Sequence, residues 1–410
     1  MRGRNVFAPK GRLRLILLVE FSPSKPLSDI RETNDFLRRT WACLRDDAKI
    51  GFQYTPWLDS KNQVQHIGFL SLGAYSEILL EKGIGDPVAC SLSYKKRGVV
   101  DKLIFEIPES WRRYVDIQEV RGRILGSLSK VDERKLNTSS CNIAVFTPLP
   151  LSIPNVSGKK FKLESGIGKA RLEFYVNAYD KVDLQDQKAY FAWNFCVLAS
   201  AWSGQLFFLH NSTDAFNDYR EIVSLIHDGD LTESLNQLAD PIFSIAVDLL
   251  ALGSSAIRPA LKASHLIQRS LVAASSNRDL LGDTANTLAI SALEVLSDEG
   301  ADPISCKTCG QPQYKISKRV RDFASDHLGG EHWRKWFGDQ YAVRSKFLHT
   351  GAIRHRSIFS GKANPTVQVS APGGMALPMH FAYDHVLTYL TLMIVRNYIQ
   401  RITEPNTRYL

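Results

Sequence analysis

The chain has 410 residues, of which 44% are hydrophobic and 23% are charged, close to the averages of soluble globular proteins. These values exclude wholesale disorder and the collagen-like and coiled-coil classes, and the length favours two or more domains. Lys and Arg outnumber Asp and Glu by 51 to 42. The six cysteines are too few and too irregularly spaced for a disulfide framework, which predicts a reducing, cytoplasmic location.

Short apolar and β-branched runs alternate with turn formers over residues 1–180. The predicted strands are Leu13–Phe21, His66–Leu72, Val99–Pro108 and Asn142–Phe146. One helix is predicted at Ser28–Lys49, capped by Ser28 or Asp29. This part of the chain holds 29 basic and 20 acidic residues. We therefore predict a basic α+β domain at 1–180, whose role the sequence does not indicate.

From about residue 181 the apolar residues recur at helical spacing, which predicts an all-α domain over 181–410. The predicted helices are Gln187–Leu209, Asp214–His227, Leu231–Leu252, Ala256–Ser275, Thr284–Leu296, Tyr314–Leu328, Glu331–Leu348 and Met379–Ile402. Phe359–Pro378 is too rich in Gly and Pro to be helical and is expected to form a loop.

The stretch Ala189–Leu209 has no charged residue over twenty-one positions and is the candidate for a membrane span. It contains Asn194, Ser200 and Gln205, which are costly in lipid unless they are paired. We therefore expect a buried core helix and no membrane association, with a membrane span as the alternative.

Charge is unevenly distributed in the second half of the chain. Residues 181–306 carry 7 basic and 16 acidic residues, whereas residues 307–362 carry 12 basic and 4 acidic residues. A locally basic segment suits a polyanion such as RNA. It also suits docking on the acidic segment within one fold, and charge alone does not decide between them.

The motif Arg344-x4-His349 lies at the predicted end of a helix, with Ser345 directly after the arginine. His349 suits proton transfer near neutral pH, and Arg344 offers a planar cationic fork to phosphate oxygens. Ser345 can orient the histidine or bond a phosphate oxygen. Residues five apart on a helix lie about 140° apart around its axis. Arg344 and His349 therefore converge only if the helix ends between them or if two subunits share the site.

Structural roles are the alternative for these residues. A histidine near a helix end often caps carbonyls, and Arg344 could pair with a neighbour such as Asp339. Glu294 lies in the otherwise apolar segment Leu288–Leu296, where an ionisable group is paired or at a boundary. It is either a partner that positions Arg344 or part of a solvated helix edge.

The segment Arg344-Ser-Lys-Phe-Leu-His349 resembles the signature of the HEPN superfamily, specifically its Apea-like branch. Three further segments are similar to that branch: Ala289-Ile-Ser-Ala-Leu-Glu294, Ser297-Asp-Glu-Gly300, and Cys306-Lys-Thr-Cys309-Gly310 leading into Tyr314. The resemblance covers roughly 180–402, with its specific motifs confined to 284–351. It implies a helical bundle that forms a homodimer, with both motifs facing a shared cleft.

The resemblance also implies a metal-independent endoribonuclease, with Arg344, Ser345 and His349 as catalytic residues and a role as a toxin-like or antiviral defence effector. Attack by the ribose 2′-hydroxyl on the adjacent phosphorus needs a base, an acid and a cation, and no catalytic cofactor. The alternative is a non-catalytic HEPN protein that binds RNA, a nucleotide or a protein partner.

Two further sets of residues are candidates for binding. Basic residues expected to follow an RNA backbone are Lys318, Arg319, Arg321 and Lys346, with Trp333 and Trp336 as stacking surfaces or, alternatively, as core. Cys306 and Cys309 form half of a zinc site, with His327 and His332 as the nearest further candidates. A structural zinc and a reduced thiol pair in a turn both remain open.

Overall fold

A computed structural model describes residues 15–47, 51–59, 64–71, 88–96, 98–148, 151–209, 235–276, 282–298, 304–305, 312–313, 316–350 and 379–407. The architecture is α+β, with antiparallel strand pairs and long helices. The predicted helix Asp214–His227 and the predicted loop Phe359–Pro378 lie outside the described residues.

The chain divides into two compact units, Met1–Ser139 with Asn177–Gln187 and Ser140–Val176 with Lys188–Leu410. The predicted boundary at residue 180 differs from this division. Residues 140–176 contain a second sheet that belongs to the same unit as the helices. The helical unit is therefore not all-α. The sequence prediction grouped Asn142–Phe146 with the other strands of 1–180, whereas this sheet belongs to the unit that contains the helices.

The first unit is built on a five-stranded antiparallel sheet in the order β1-β5-β4-β3-β2. Its strands are β1 (Leu15–Phe21), β2 (Gly51–Asp59), β3 (Val64–Ser71), β4 (Val88–Lys96) and β5 (Val99–Pro108). The tight β4–β5 connection uses Gly98 at φ +77°, in the left-handed region that favours glycine. Strand β1 comes first in the chain and pairs with β5, so it forms one edge of the sheet.

Helices α1 (Ile30–Asp47) and α2 (Ile117–Leu128) pack with this sheet around one core. Asp29 caps α1, because its carboxylate accepts hydrogen bonds from the backbone N–H of Arg31 and Glu32. Asp116 caps α2 in the same way, and the buried residues of α2 recur every four positions at Val120, Ile124 and Leu128. Helix α2 was not predicted from the sequence.

Ion pairs hold the segment Asn177–Gln187 within the first unit. Arg45 binds Asp180 at 2.6 Å, and Arg38 binds Asp183 at 2.8 Å, with both carboxylates 4% exposed. Burial raises the pKa of Asp180, but the hydrogen bond and charge of Arg45 outweigh burial, so the net pKa lies below its usual value. Asp180 therefore stays ionised although it is buried.

Six further strands lie wholly or mainly in the second unit: β6 (Asn137–Phe146), β7 (Ser152–Ile153), β8 (Val156–Ser157), β9 (Phe161–Glu164), β10 (Gly166–Ile167) and β11 (Lys169–Ala178). Four of them form a sheet in the order β6-β11-β9-β8. Burial alternates along β11, so the sheet has one buried face. Helix α3 (Lys181–Ser203) covers that face, with Phe191 stacked on Phe174 at 4.4 Å between ring centroids.

The polar residues of α3 are paired within the fold. Ser200 donates to the carbonyl of Cys196 and accepts from the backbone N–H of Phe207, and Asn194 donates to the carbonyl of Tyr190. The helix ends before the predicted Leu209, because Gly204 adopts φ +75° and its N–H bonds the carbonyl of Ser200. Among the described helices, none combines the length and apolar character that crossing a membrane requires.

Replacing Gly204 tests this helix end. Gly204→Ala should lower the free energy of unfolding by about 1–2 kcal/mol, since a side chain is strained in the left-handed region. The added Cβ would also lie 3.2 Å from Cδ1 of Leu392. Urea-induced unfolding is the measurement, and Gly253→Ala is the matched control. Gly253 has φ +63° with open space around it, so Gly253→Ala should lower the free energy of unfolding by less. Equal decreases in the two variants would show that the contact with Leu392 contributes nothing.

The remaining described helices are α4 (Pro241–Ala251), α5 (Arg258–Ser276), α6 (Gly282–Ser297), α7 (Ile316–Leu328), α8 (Glu331–Thr350) and α9 (Met379–Thr407). The predicted helix Leu231–Leu252 is interrupted at Asp240, which follows the 3₁₀ turn Gln237–Ala239 and caps α4, with Pro241 in its first turn. Helices α6 to α9 share one core, with members from each: Leu293, Val320, Phe337 and Ile394 are fully buried.

Candidate functional site around Arg344

Helix α8 carries the Arg344-x4-His349 motif and continues as regular helix to Thr350. It does not end between Arg344 and His349, so the two side chains leave the axis about 140° apart. A helix end between the two residues therefore does not bring them together, which leaves a site shared by two subunits as the other way in which they could converge. Within a single chain Arg344 and His349 point to different sides of α8. Gly351, the next residue, lies outside the described residues.

Arg344 is held against helix α6. Its Nη2 donates to Oε2 of Glu294 at 2.7 Å and to Oγ of Ser291 at 3.2 Å. The side chains of Arg344 and Glu294 are only 18% and 20% exposed. Of the two roles considered for Glu294, partner of Arg344 or part of a solvated helix edge, the structure shows the first. Arg344 bonds to Glu294 rather than to Asp339, the neighbour considered from sequence.

Tyr341 completes this cluster. The guanidinium carbon of Arg344 lies 5.6 Å from the centroid of the Tyr341 ring, within the range of a cation–π contact. Burial raises the pKa of Tyr341, and the charge and hydrogen bond of Glu294 raise it further, while Arg344 opposes the shift. Tyr341 is therefore a neutral hydroxyl at pH 7. The ion pair, Ser291 and Tyr341 together fix the direction of the guanidinium group.

Ser291 and Tyr341 were not identified from sequence, although a signal was present. Ser291 lies three residues before Glu294 on α6, and Tyr341 lies three residues before Arg344 on α8. Residues three apart share one face of a helix. Once Glu294 and Arg344 are paired, this spacing brings the serine and the tyrosine to the same contact.

The other residues of the motif are more accessible. His349 and Lys346 are exposed, and Ser345 is half-buried. Ser345 and His349, four residues apart, share one side of α8, as expected. His349 forms no ion pair or hydrogen bond with the part of the chain that the structure describes. Its ring is thus free to meet a ligand or a second subunit.

The basic residues expected to follow an RNA backbone have different surroundings. Lys318 on α7 and Lys346 on α8 are exposed. Arg319 pairs with Asp298 at 2.8 Å, and its side chain is 23% exposed. Arg321 is half-buried, and a Cβ built on Gly338 of α8 would lie 2.8 Å from its Cδ. Lys318 and Lys346 therefore remain accessible, whereas Arg319 and Arg321 are engaged within the unit.

The aromatic residues of α8 pack inward. Trp333 and Trp336 are partly buried against the core shared by α6 to α9, and their rings meet edge to face with centroids 6.2 Å apart. Phe337, the next aromatic residue, is fully buried. The alternative that these residues belong to the core therefore fits the structure better than base stacking.

Cys306 and Cys309 lie outside the described residues. The flanking strands β12 (Ile304–Ser305) and β13 (Pro312–Gln313) pair antiparallel. His327 packs on Phe323 and bonds its carbonyl, and His332 lies against Trp333. Among the described residues no group of three His, Cys, Asp or Glu side chains could hold a metal ion. Cys43, Cys90, Cys141 and Cys196 are free and buried, where a thiol packs as a small apolar side chain.

Comparisons of this chain with protein-family models, curated proteins and solved structures returned no match. The resemblance to the HEPN superfamily thus depends on the motif residues alone.

Proposed function

We propose that this protein is a metal-independent endoribonuclease of the Apea-like HEPN type, acting in the cytoplasm as a toxin-like or antiviral defence effector. The observation that carries the proposal is the contact between the two motif helices. Glu294, from the segment that resembles the core helix of the Apea-like branch, positions Arg344 of the Arg-x4-His motif at 2.7 Å. The exposed His349 follows on the same helix.

The chemistry follows from the properties of these groups. The ribose 2′-oxygen attacks the adjacent phosphorus, and the bond from phosphorus to the 5′-oxygen breaks. His349 makes one of the two proton transfers of this step, as a base at the 2′-hydroxyl or as an acid at the 5′-oxygen, and a water molecule makes the other. Arg344 balances charge on the phosphate oxygens through the donors that Glu294 and Ser291 do not occupy. Ser345, on the same side of α8 as His349, orients the imidazole or the phosphate.

A homodimer through the helical unit is part of the proposal, because the site is incomplete in one chain. Arg344 and His349 diverge by about 140° on an unbroken helix. A two-fold axis that places two α8 helices side by side brings Arg344 of one subunit towards His349 of the other. The dimer would then contain two composite sites.

A mixing experiment tests the composite sites directly. Arg344→Ala and His349→Ala proteins should each be inactive, whereas a refolded equimolar mixture should recover about a quarter of wild-type cleavage. In such a mixture half of the dimers combine the two variants, and each of those retains one intact site. A mixture that stays inactive, although sedimentation shows that mixed dimers form, would contradict a shared site.

The direct test of the function is incubation of the purified protein with total RNA in the presence of EDTA. Cleavage products ending in 2′,3′-cyclic phosphate are expected, because the nucleophile is the ribose hydroxyl rather than a metal-bound water. A requirement for Mg²⁺ would contradict the mechanism. A structural zinc at Cys306 and Cys309 would be outside this chemistry.

The second candidate is a non-catalytic HEPN protein that binds RNA, a nucleotide or a protein partner. The observation that favours it is the ion pair itself, because Glu294 already compensates the charge of Arg344. A guanidinium group neutralised in this way has less attraction for a phosphate. RNA binding without cleavage in EDTA or in Mg²⁺ would favour this candidate.

A further inference from the structure

Helix α5 carries basic residues along one face. Arg258, Lys262, His265 and Arg269 are separated by four, three and four residues, a spacing that places all of them on one side of an α-helix. Arg258, Lys262 and Arg269 are exposed, and His265 is half-buried. None of the three cationic side chains forms an ion pair within the described part of the chain. We call these four residues the α5 stripe.

The charge of the α5 stripe is locally uncompensated. Residues 181–306 contain seven basic and sixteen acidic residues, yet four of those seven lie within 249–278, where Asp and Glu are absent. Arg258 occupies the first position of α5, where a cation meets the positive end of the helix dipole. Its charge therefore does not stabilise the helix. A cluster of this kind attracts an anionic ligand.

Two exposed aromatic residues of α3 lie beside the stripe. Tyr190 and Trp193, one helical turn apart, are 59% and 52% exposed. The ring of Trp193 stacks on that of His265, with centroids 6.5 Å apart and planes inclined by 25°. Asn194, which is buried, bonds Nε2 of His265 at 2.9 Å and donates to the carbonyl of Tyr190. The ring of Trp193 thus lies against His265 of the stripe, with Tyr190 one turn away on the same helix.

His265 contributes an aromatic face rather than a charge. Burial lowers its pKa, and the nearby charge of Arg269 lowers it further, so the ring is neutral at pH 7. The surface then consists of flat aromatic rings flanked by Lys262 and Arg269. Single-stranded nucleic acid matches this arrangement, because its bases stack on aromatic faces while its phosphates meet the cations. In a duplex the base faces are already stacked, and only the phosphates remain available.

We propose that the α5 stripe, together with Tyr190 and Trp193, binds single-stranded RNA. The proposal rests on the proposed function, for which this RNA is the substrate strand. It assigns binding to a surface on α3 and α5, on different helices from Lys318 and Lys346, the accessible members of the basic set expected from sequence.

The stacking part of the proposal is tested in the His349→Ala protein, so that binding is measured without cleavage. Fluorescence anisotropy with a labelled single-stranded oligoribonucleotide gives the dissociation constant. Trp193→Ala should weaken binding about 5- to 100-fold, the loss expected for one stacked base. Trp193→Phe should restore most of the affinity. Binding to a duplex of the same length should not change in either variant.

The electrostatic part uses matched charge removals. Lys262→Ala/Arg269→Ala should lower the slope of log K against log salt by about 1.4, since each lost phosphate contact contributes about 0.7 for a single strand. Lys159→Ala/Lys160→Ala removes the same charge from exposed positions elsewhere in the second unit and should leave the slope unchanged.

Three outcomes would overturn the proposal: unchanged affinity in Trp193→Ala, equal slopes for the two double variants, or binding to phosphatidylserine vesicles with none to single-stranded RNA. The outcome is separable from the proposed function. If the wild-type protein binds as described but never cleaves, the nuclease proposal fails and this surface stands. If instead the wild-type protein cleaves RNA and Trp193→Ala does not weaken binding, this surface proposal fails and the nuclease proposal stands.

Discussion

His349→Ala should reduce RNA cleavage by about two to four powers of ten, because removal of a general acid or base typically costs that factor. The side chain is exposed at the last turn of α8 and forms no hydrogen bond or ion pair within the described residues. The midpoint of the unfolding transition should therefore be the same in the variant as in the wild type. Single-turnover cleavage of a defined RNA, with circular dichroism of the same sample, provides the measurement.

His332→Ala is the matched control for this variant, since His332 is also an exposed histidine on α8 but lies in the first turn. It should cleave at the wild-type rate. A substrate with 2′-deoxyribose at the cut site should resist the wild-type enzyme, because the attacking oxygen is missing. Cleavage that survives either the deoxy substitution or the loss of His349 would contradict the proposed chemistry.

Arg344→Ala should abolish cleavage by a comparable factor and also destabilise the protein, by about 1–3 kcal/mol, because Glu294 is left without its partner where it is 80% buried. The two effects can be separated by the charge exchange Arg344→Glu/Glu294→Arg. The exchange restores an ion pair between α6 and α8 and should recover most of the stability. It moves the cation to α6, so cleavage should remain lost.

Arg334→Ala is the control for a cation on the same helix. Arg334 pairs with Asp322 at 2.8 Å and with Glu331, but lies ten residues before Arg344. Its loss should leave the cleavage rate within a factor of about two, as expected for a surface ion pair of small energetic weight. Full cleavage by the charge-exchanged protein would show that Arg344 has only a structural role.

Helices with a strong periodic pattern could be predicted from the sequence. The structure places α1 and α5 to α8 within two residues of their predicted starts, because each combines an apolar stripe with a capping or breaking residue. The two-residue strands β7, β8 and β10 could not be predicted in this way, since two positions carry no detectable alternation. They form only because neighbouring chain segments supply their hydrogen bonds.

The candidate site could be predicted in part. The motif and the pairing alternative for Glu294 could be read from residue type and spacing. The engagement of Arg319 by Asp298 could not, because these residues lie on different elements and pair only after α6 and α7 pack. The exposed pair on α3 was also missed. An apolar pattern nearly all round a helix predicts burial on every side, whereas Trp193 and Tyr190 remain half-exposed.

The interleaving of the two units along the chain limits how the protein can be taken apart. Asn177–Gln187 returns to the first unit after 140–176 has joined the second, so no single cut yields two intact pieces. A fragment beginning at residue 181 would lose Phe161 and Phe174, the ring partners of Phe195 and Phe191, and would expose an aromatic surface to water. Such a fragment would be prone to self-association. The activity of the helical unit should therefore be measured in the whole chain rather than in a fragment.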